Sequence, residues 1–161
     1  MKSLLIMLLS IPLVFTGCVA HNISEQSLAL VDRAVTFDML QENPDAYRGK
    51  FVVFGGRIEA AEKQAAGIRL EIKQYALDRR ELPDETTVSR GRFLTVVTGS
   101  LDLSRCRRGR LVSIAGVIAG KEVLPYNGSD YTYPLVNAKE VHLFPCPGED
   151  AFHTWSPDNP R

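Results

Sequence analysis

Across residues 67–76 apolar and charged side chains alternate with a period of two. Ile68, Leu70 and Ile72 fall on one face, and Arg69, Glu71 and Lys73 fall on the other. That period belongs to a half-buried β-strand, because a helix would scatter the three aliphatic side chains around its circumference. Residues 51–61, 92–98, 110–119 and 133–144 read as strands by the same logic. Val112, Ile114, Gly116 and Ile118 share one side of their segment. In the last segment Val136 and Ala138 keep one phase while Val141 and Leu143 keep the other, which predicts a bulge near Lys139-Glu140. Gly55-Gly56 predicts sharp coiling or a bulge where two backbones approach closely.

Between these segments the chain is punctuated by turns. Residues 77–91 form a polar excursion around Pro83-Asp84-Glu85, residues 99–108 a turn region, and residues 125–130 a turn-rich loop. Thr36 is suited to cap a short helix over 37–43, with Phe37, Leu40 and Met39 inward and Asp38 in the first turn. Pro44 stops that helix, and residues 28–35 are an apolar patch compatible with helix or extended chain. The fold class is therefore all-β. A small five-stranded OB-like barrel or curled antiparallel sheet with a short N-terminal helix fits best, and a small open sandwich is the alternative.

The first residues set the address. Met1-Lys2-Ser3 precedes an apolar run from Leu4 to Phe15, too short to span a bilayer as a finished helix. Its flanks are those of a secretory signal peptide, residues 1–17. Phe15-Thr16-Gly17-Cys18 resembles the lipobox of bacterial lipoproteins, with cleavage between Gly17 and Cys18 and diacylglycerol on the Cys18 sulfur. Two or three acyl chains there give a stable anchor, which one chain does not. Val19, in place of Asp after the cysteine, resembles lipoproteins sorted to the outer membrane; the expected location is lipid-anchored, on the periplasmic face. Residues 18–27 then read as a lipidated tether, 28–146 as the β domain, and 147–161 as a Pro-rich tail.

Composition narrows the partners. Removing Lys2 with the signal leaves 18 basic against 19 acidic side chains, so no global field draws the chain to nucleic acid. With Cys18 lipidated, Cys106 and Cys146 remain as a candidate disulfide in an oxidising compartment, two separate thiols being the alternative.

Pro44-Asp45-Ala46-Tyr47-Arg48-Gly49-Lys50, Val53-Phe54-Gly55-Gly56-Arg57-Ile58, Gly91-Arg92-Phe93, Gly109-Arg110-Leu111 and Tyr131-Thr132-Tyr133-Pro134-Leu135 together resemble the Slp family, starvation-inducible-type outer-membrane lipoproteins of Gram-negative bacteria. The resemblance runs from about Leu4 to Phe144. It implies outer-membrane attachment, a compact β domain and a role in envelope stress or starvation, with no catalytic residues and no cofactor. Phe54 departs from a common Trp, Cys106 and Cys146 are additions, and the tail is extended.

No serine sits in a nucleophile elbow, the glycines lack phosphate-loop spacing, and His21, His142 and His153 form no metal pattern. Glu59 and Glu71 are placed to cross a hairpin and mimic an acid/base pair, though surface carboxylates are the commoner outcome. Arg105, Arg107, Arg108 and Arg110 form the concentrated basic segment, suited to phosphates or carboxylates, or else a solvated loop. Tyr126, Tyr131, Tyr133 and Trp155 suit a binding surface, for an envelope protein or for sugar faces of a glycan, unless packed on their own domain. The expected function is a non-enzymatic outer-membrane lipoprotein with a structural or protein-interaction role, the alternative being a glycan- or lipid-binding module.

Overall fold

The computed structural model describes residues 21–146. The signal, Gly17 and Cys18, and the tail with Phe152 and Trp155 lie outside the described residues. Strands β1 (Phe51–Gln64) and β2 (Gly67–Tyr75) form an antiparallel hairpin, and β3 (Gly91–Val97) continues the sheet antiparallel to β2. Strands β4 (Leu111–Tyr126) and β5 (Ser129–Leu143) form a second, longer hairpin. Closure comes at two seams: β1 pairs antiparallel with β4, and β3 pairs parallel with β5 over Leu94–Val97. The ring order β1-β2-β3-β5-β4 closes a barrel, the OB-like alternative of the sequence reading. No described helix is long and apolar enough to cross a membrane.

The alternation that marked β2 is realised. Ile68, Leu70 and Ile72 are buried, with Val52, Ile58, Phe93, Val112, Ile114, Ile118 and Val136 completing the interior. The register shifts sit where a tight ring must bend. Ala115 pairs with Glu140 and Gly116 with Ala138, leaving Lys139 as the extra residue, as the phase change predicted. In β1 the bulge is at Glu59 instead of the glycines, since Ile58 pairs with Ile72 and Ala60 with Glu71. Gly55-Gly56 serves close approach: a Cβ on Gly56 would fall on the Lys73 carbonyl, and one on Gly55 would stand 2.7 Å from the Val112 carbonyl oxygen.

Helix α2 (Phe37–Glu42) starts where expected, its Thr36 hydroxyl accepting from the Met39 amide. It packs Phe37 and Leu40 into the core while Met39 stays exposed. Phe37, Phe54 and Phe93 meet edge to face with centroids 5.4, 5.9 and 6.2 Å apart, a geometry that adds to simple burial. Pro44–Tyr47 follows as a 3-10 turn.

Three expectations need correction. Residues 125–130 are no loop: β4 and β5 run to Tyr126 and Ser129, joined by Asn127-Gly128 with φ of 51° and 82°. Both central residues of such a two-residue turn take positive φ, which Asn and Gly tolerate best. Residues 21–27 do not form a free tether. Ile23 is fully buried, and Ser24 caps a short helix α1 (Glu25–Ala29) while its amide and hydroxyl donate to Glu140. Finally, no disulfide joins Cys106 to Cys146. Cys106 is buried in the turn before β4, its Sγ directed at the Asp102 carbonyl at 3.5 Å, and burial pushes the thiol up, so it stays protonated.

Glu140 ties the N-terminal segment to β5. Burial pushes its carboxyl up, but donation by the Ser27 and Ser24 hydroxyls and the Ser24 amide outweighs this and holds it below its ordinary value. A depressed folded-state value means stability present above the unfolded-state value and lost as pH falls through the folded one. Glu140→Gln is therefore expected to lower stability by about 1 kcal/mol at neutral pH. The difference should shrink in acid as the wild-type carboxylate protonates, as urea unfolding across pH will show. Gly56→Ala, forced against a neighbouring backbone, should cost at least about 2 kcal/mol in the same assay.

Candidate functional site

The distal half of the β4–β5 hairpin runs beyond the β1 pairing, and its residues reach the outward charges of β2 and β3. Arg69 of β2 donates to Glu122 of β4 at 2.9 Å and to Glu62 of β1 at 3.0 Å. Tyr133, nearly fully buried, donates its phenol to Glu71 at 3.2 Å. Burial, reinforced by that carboxylate, pushes the Tyr133 phenol up to about 12. A cavity of about 120 Å³ lined by Ala60, Arg69, Glu71, Leu94, Leu124 and Tyr133 lies beneath. It is walled by ion pairs and too small for more than water-sized guests.

A wider groove opens beside it, about 680 Å³ in volume, lined by Gln41 of α2, Lys73 of β2, the 88–92 segment, Tyr126 and Tyr131. Its floor is organised by the Tyr131 phenol, which accepts from the Arg92 amide at 3.0 Å and donates to the Gln41 side chain at 3.2 Å. Gln41 in turn donates to the Thr132 carbonyl at 3.0 Å, so helix, hairpin and β3 are pinned at one point. The rings of Tyr126, Tyr131 and Tyr133 form a ladder, with centroids 5.6 and 4.6 Å apart. The Arg92 guanidinium lies over the Tyr126 ring at 4.5 Å and donates to Glu71 at 2.8 Å. Desolvation works against the Arg92 charge, but Glu71 overcomes it and the guanidinium is held more firmly charged. Lys73 and the exposed Arg90 add cationic character, Arg90 reaching Asp38 at 3.0 Å. The groove therefore offers two aromatic faces and three cations, one of them preorganised by stacking.

The sequence-picked residues scatter. Tyr126 and Tyr131 are brought together in the groove, whereas Tyr133 is interior. Arg110 is not part of an exposed patch: it is 5% exposed and donates to the carbonyls of Phe144 and Arg105. It thus fastens the end of β5 to the turn before β4. Arg107 turns back to the Ser104 carbonyl, Arg108 extends to Glu59 at 3.4 Å, and Arg105 ends a 3-10 turn. Glu59 and Glu71 do not face one another across a reaction centre; Arg57 and Arg108 engage the first, and Arg92 and Tyr133 the second. Among the described residues no group of three or more His, Cys, Asp and Glu is placed to hold a metal.

Lys73, Arg90, Arg92 and Gln41 were missed as site residues. The signal available was Asn127-Gly128, which extends the hairpin and carries Tyr126 and Tyr131 over β3.

Known proteins give the chain its relatives. It is 39% identical over 77 residues to the uncharacterized lipoprotein YeaY of Escherichia coli (strain K12), a match covering 48% of this chain and 39% of that protein. The chain thus spans well under half the length of that relative. Among solved structures, the mitochondrial single-stranded DNA binding protein Rim1 of S. cerevisiae aligns with 16% identity and a TM-score of 0.38, covering 59% of this chain and 94% of that one. The small single-stranded DNA-binding protein of Streptomyces coelicolor gives 14% and 0.37, with 58% and 94% coverage. The family model of the outer membrane lipoprotein Slp family matches residues 15–158, which implies an envelope location, and the chain belongs to that family.

Proposed function

We propose that the protein is a non-enzymatic outer-membrane lipoprotein, anchored through Cys18 after cleavage at Gly17. Its barrel works at the periplasmic face as a docking module for an envelope protein. The observation that carries this reading is the Arg92 guanidinium stacked on Tyr126 in an open groove shared with Tyr131, Lys73 and Arg90. Tyrosine and arginine are the side chains that dominate protein interfaces, because they bury large area with few rotamers to freeze and keep a polar tip. Three cations with two aromatic faces suit an extended, acidic segment of the partner.

The reading as a non-enzyme is supported by the fate of the carboxylates. Each is already engaged, Glu59 by Arg57 and Arg108 and Glu71 by Arg92 and Tyr133, so the two do not form an acid/base pair across a shared space. The phenol of Tyr133 is held protonated by burial and serves as a strut. A second reading, an envelope glycan held against the rings, is favoured by Tyr126 and Tyr131 both lining the open groove. Nucleic acid is disfavoured by the near-neutral balance of 19 basic and 19 acidic residues and by the export signal.

The test is site-specific photocrosslinking in cells from a reporter at position 126, with position 103 as control. One envelope protein captured reproducibly at 126 alone is the expected result. Arg90→Glu, introduced beside the reporter, should reduce that capture at least about tenfold, the cost of losing an interface anchor. Capture of glycan without protein moves the assignment to the second reading, and equal capture at both positions overturns the groove as the site.

A further inference from the structure

The described chain begins on a firm hold. His21 Nδ1 lies 2.8 Å from Glu81 Oε1, the Asn22 amide donates to Glu81 Oε2 at 3.2 Å, and the Asn22 side chain donates to the Arg80 carbonyl. Ile23 is fully buried, and Ser24 is fastened to Glu140. Glu81 is itself fixed: it is 8% exposed, its carbonyl accepts from the Ser113 hydroxyl, and its amide donates to Asp78 at 3.1 Å. Its φ of 61° is a conformation that surrounding contacts must enforce in a residue with a Cβ. Four consecutive residues are thus locked to the barrel immediately after the stretch that bears the lipid.

Only Val19 and Ala20 separate Cys18 from His21. Three Cα steps reach at most about 11 Å, whatever conformation they take. A lipidated Cys18 sulfur sits at the headgroup level, so the surface around His21 cannot move farther from the bilayer than that. This surface is a crevice lined by His21, Leu28, Val31, Arg33, Leu77 and Arg79, among others. Arg33, Arg79 and Arg80 are exposed around it, and no ion pair engages their guanidiniums among the described residues. The nearby acids are engaged: Asp78 accepts from the Arg80 and Leu82 amides, Asp32 pairs with Lys50, and Glu81 holds His21 and Asn22. Leu30 and Leu82 protrude beside them, 64% and 37% exposed.

From this juxtaposition we infer that the His21–Glu81 end of the barrel is a membrane-apposed face. Arg33, Arg79 and Arg80 lie against anionic phospholipid headgroups, and Leu30 and Leu82 dip into the interface. The inference rests on the lipid anchor proposed above. Its physical content is orientation: the short link brings this end to the bilayer, charge attraction holds it flat, and the leucines add apolar contact.

The experiment uses the full lipidated chain, with acylation of Cys18 verified by intact mass, in phosphatidylcholine vesicles with or without phosphatidylglycerol. Tryptophan reporters are placed by Leu30→Trp, Leu82→Trp and Leu103→Trp, each with Trp155→Phe, and quenched by brominated lipid. Leu103 neighbours Gly67 and Ile68, at the opposite end of β2 from Leu77. Strong quenching at positions 30 and 82 but not 103, deepened by phosphatidylglycerol, is expected. Arg33→Glu with Arg79→Glu and Arg80→Glu should remove the phosphatidylglycerol effect. An acylated protein quenched equally at all three positions, or at 103 alone, overturns the orientation. An unacylated Cys18 overturns the lipoprotein reading and the inference with it, and the mass tells the two failures apart.

Discussion

Closure of the ring is the constraint from which the rest of this molecule follows. Five strands can meet only if each hairpin curls hard enough for β3 to find β5 and for β1 to find β4. The chain achieves this curvature with extra residues and missing side chains. Glu59 and Lys139 are bulged out of their ladders, Ala119 is skipped between Ile118 and Gly120, and Gly56 and Gly116 let neighbouring carbonyls occupy the place of a Cβ. Once the ring is shut, its interior is mainly aliphatic side chains and the phenylalanine trio, and the fully buried Thr95 donates to the Val136 carbonyl at 2.8 Å. That hydrogen bond crosses the parallel seam, where the ladder is shortest.

Closure also explains why the hairpin of β4 and β5 becomes functional surface. Only the first part of β4 is needed to pair with β1, which ends at Val117. The remainder is surplus to the barrel and extends until Asn127-Gly128 reverses it. It would be an unsupported ribbon, marginal by itself in water. Its own charges and phenols tie it to β2, β3 and α2 instead: Glu122 to Arg69, Tyr133 to Glu71, and Tyr131 to the Arg92 amide and Gln41. Held this way, the hairpin places Tyr126 and Tyr131 along the groove beside the 88–92 segment.

Much of this architecture was legible from residues alone, and the reasons differ by element. Period-two alternation located β2 and β4 because each buries one face, and the phase change in β5 located its bulge. Thr36 announced α2 because the cap is local chemistry between a hydroxyl and the amide three residues on. What local chemistry does not carry was missed. The segment 21–27 is polar in composition, yet its polar groups are satisfied by Glu81 and Glu140, 60 and 116 residues away in the case of His21 and Ser24. Arg110 reads as one of four surface arginines, but only the fold reveals that two carbonyls await it inside. The cysteines posed a choice composition could not make, and Cys106 settled inside its own turn. The Asn-Gly turn, by contrast, was readable and was obscured by neighbouring Pro125 and Asp130.

The second layer over Ser113 shows how the two ends of the chain's logic meet. Ser113 and Ala115 are as buried as Val112 and Ile114, although they point to the opposite side of β4. The cover is the 77–85 excursion, held by a bridge between Leu77 and Pro83 and by Asp78 accepting from the amides of Arg80 and Leu82. Gly55 permits it, since the Leu77 side chain lies 2.8 Å from where a Cβ would be. The polar loop is therefore a lid on the outside of the barrel, and it presents Glu81 inward at the one place where the N-terminal segment returns. A surface loop of ordinary composition thus becomes the receptor for residues 21–22. An alanine at position 55 would press on the Val112 carbonyl and on the Ser113 hydroxyl that holds the Glu81 carbonyl, so it would strain the β1–β4 seam and disturb the hold on His21 together.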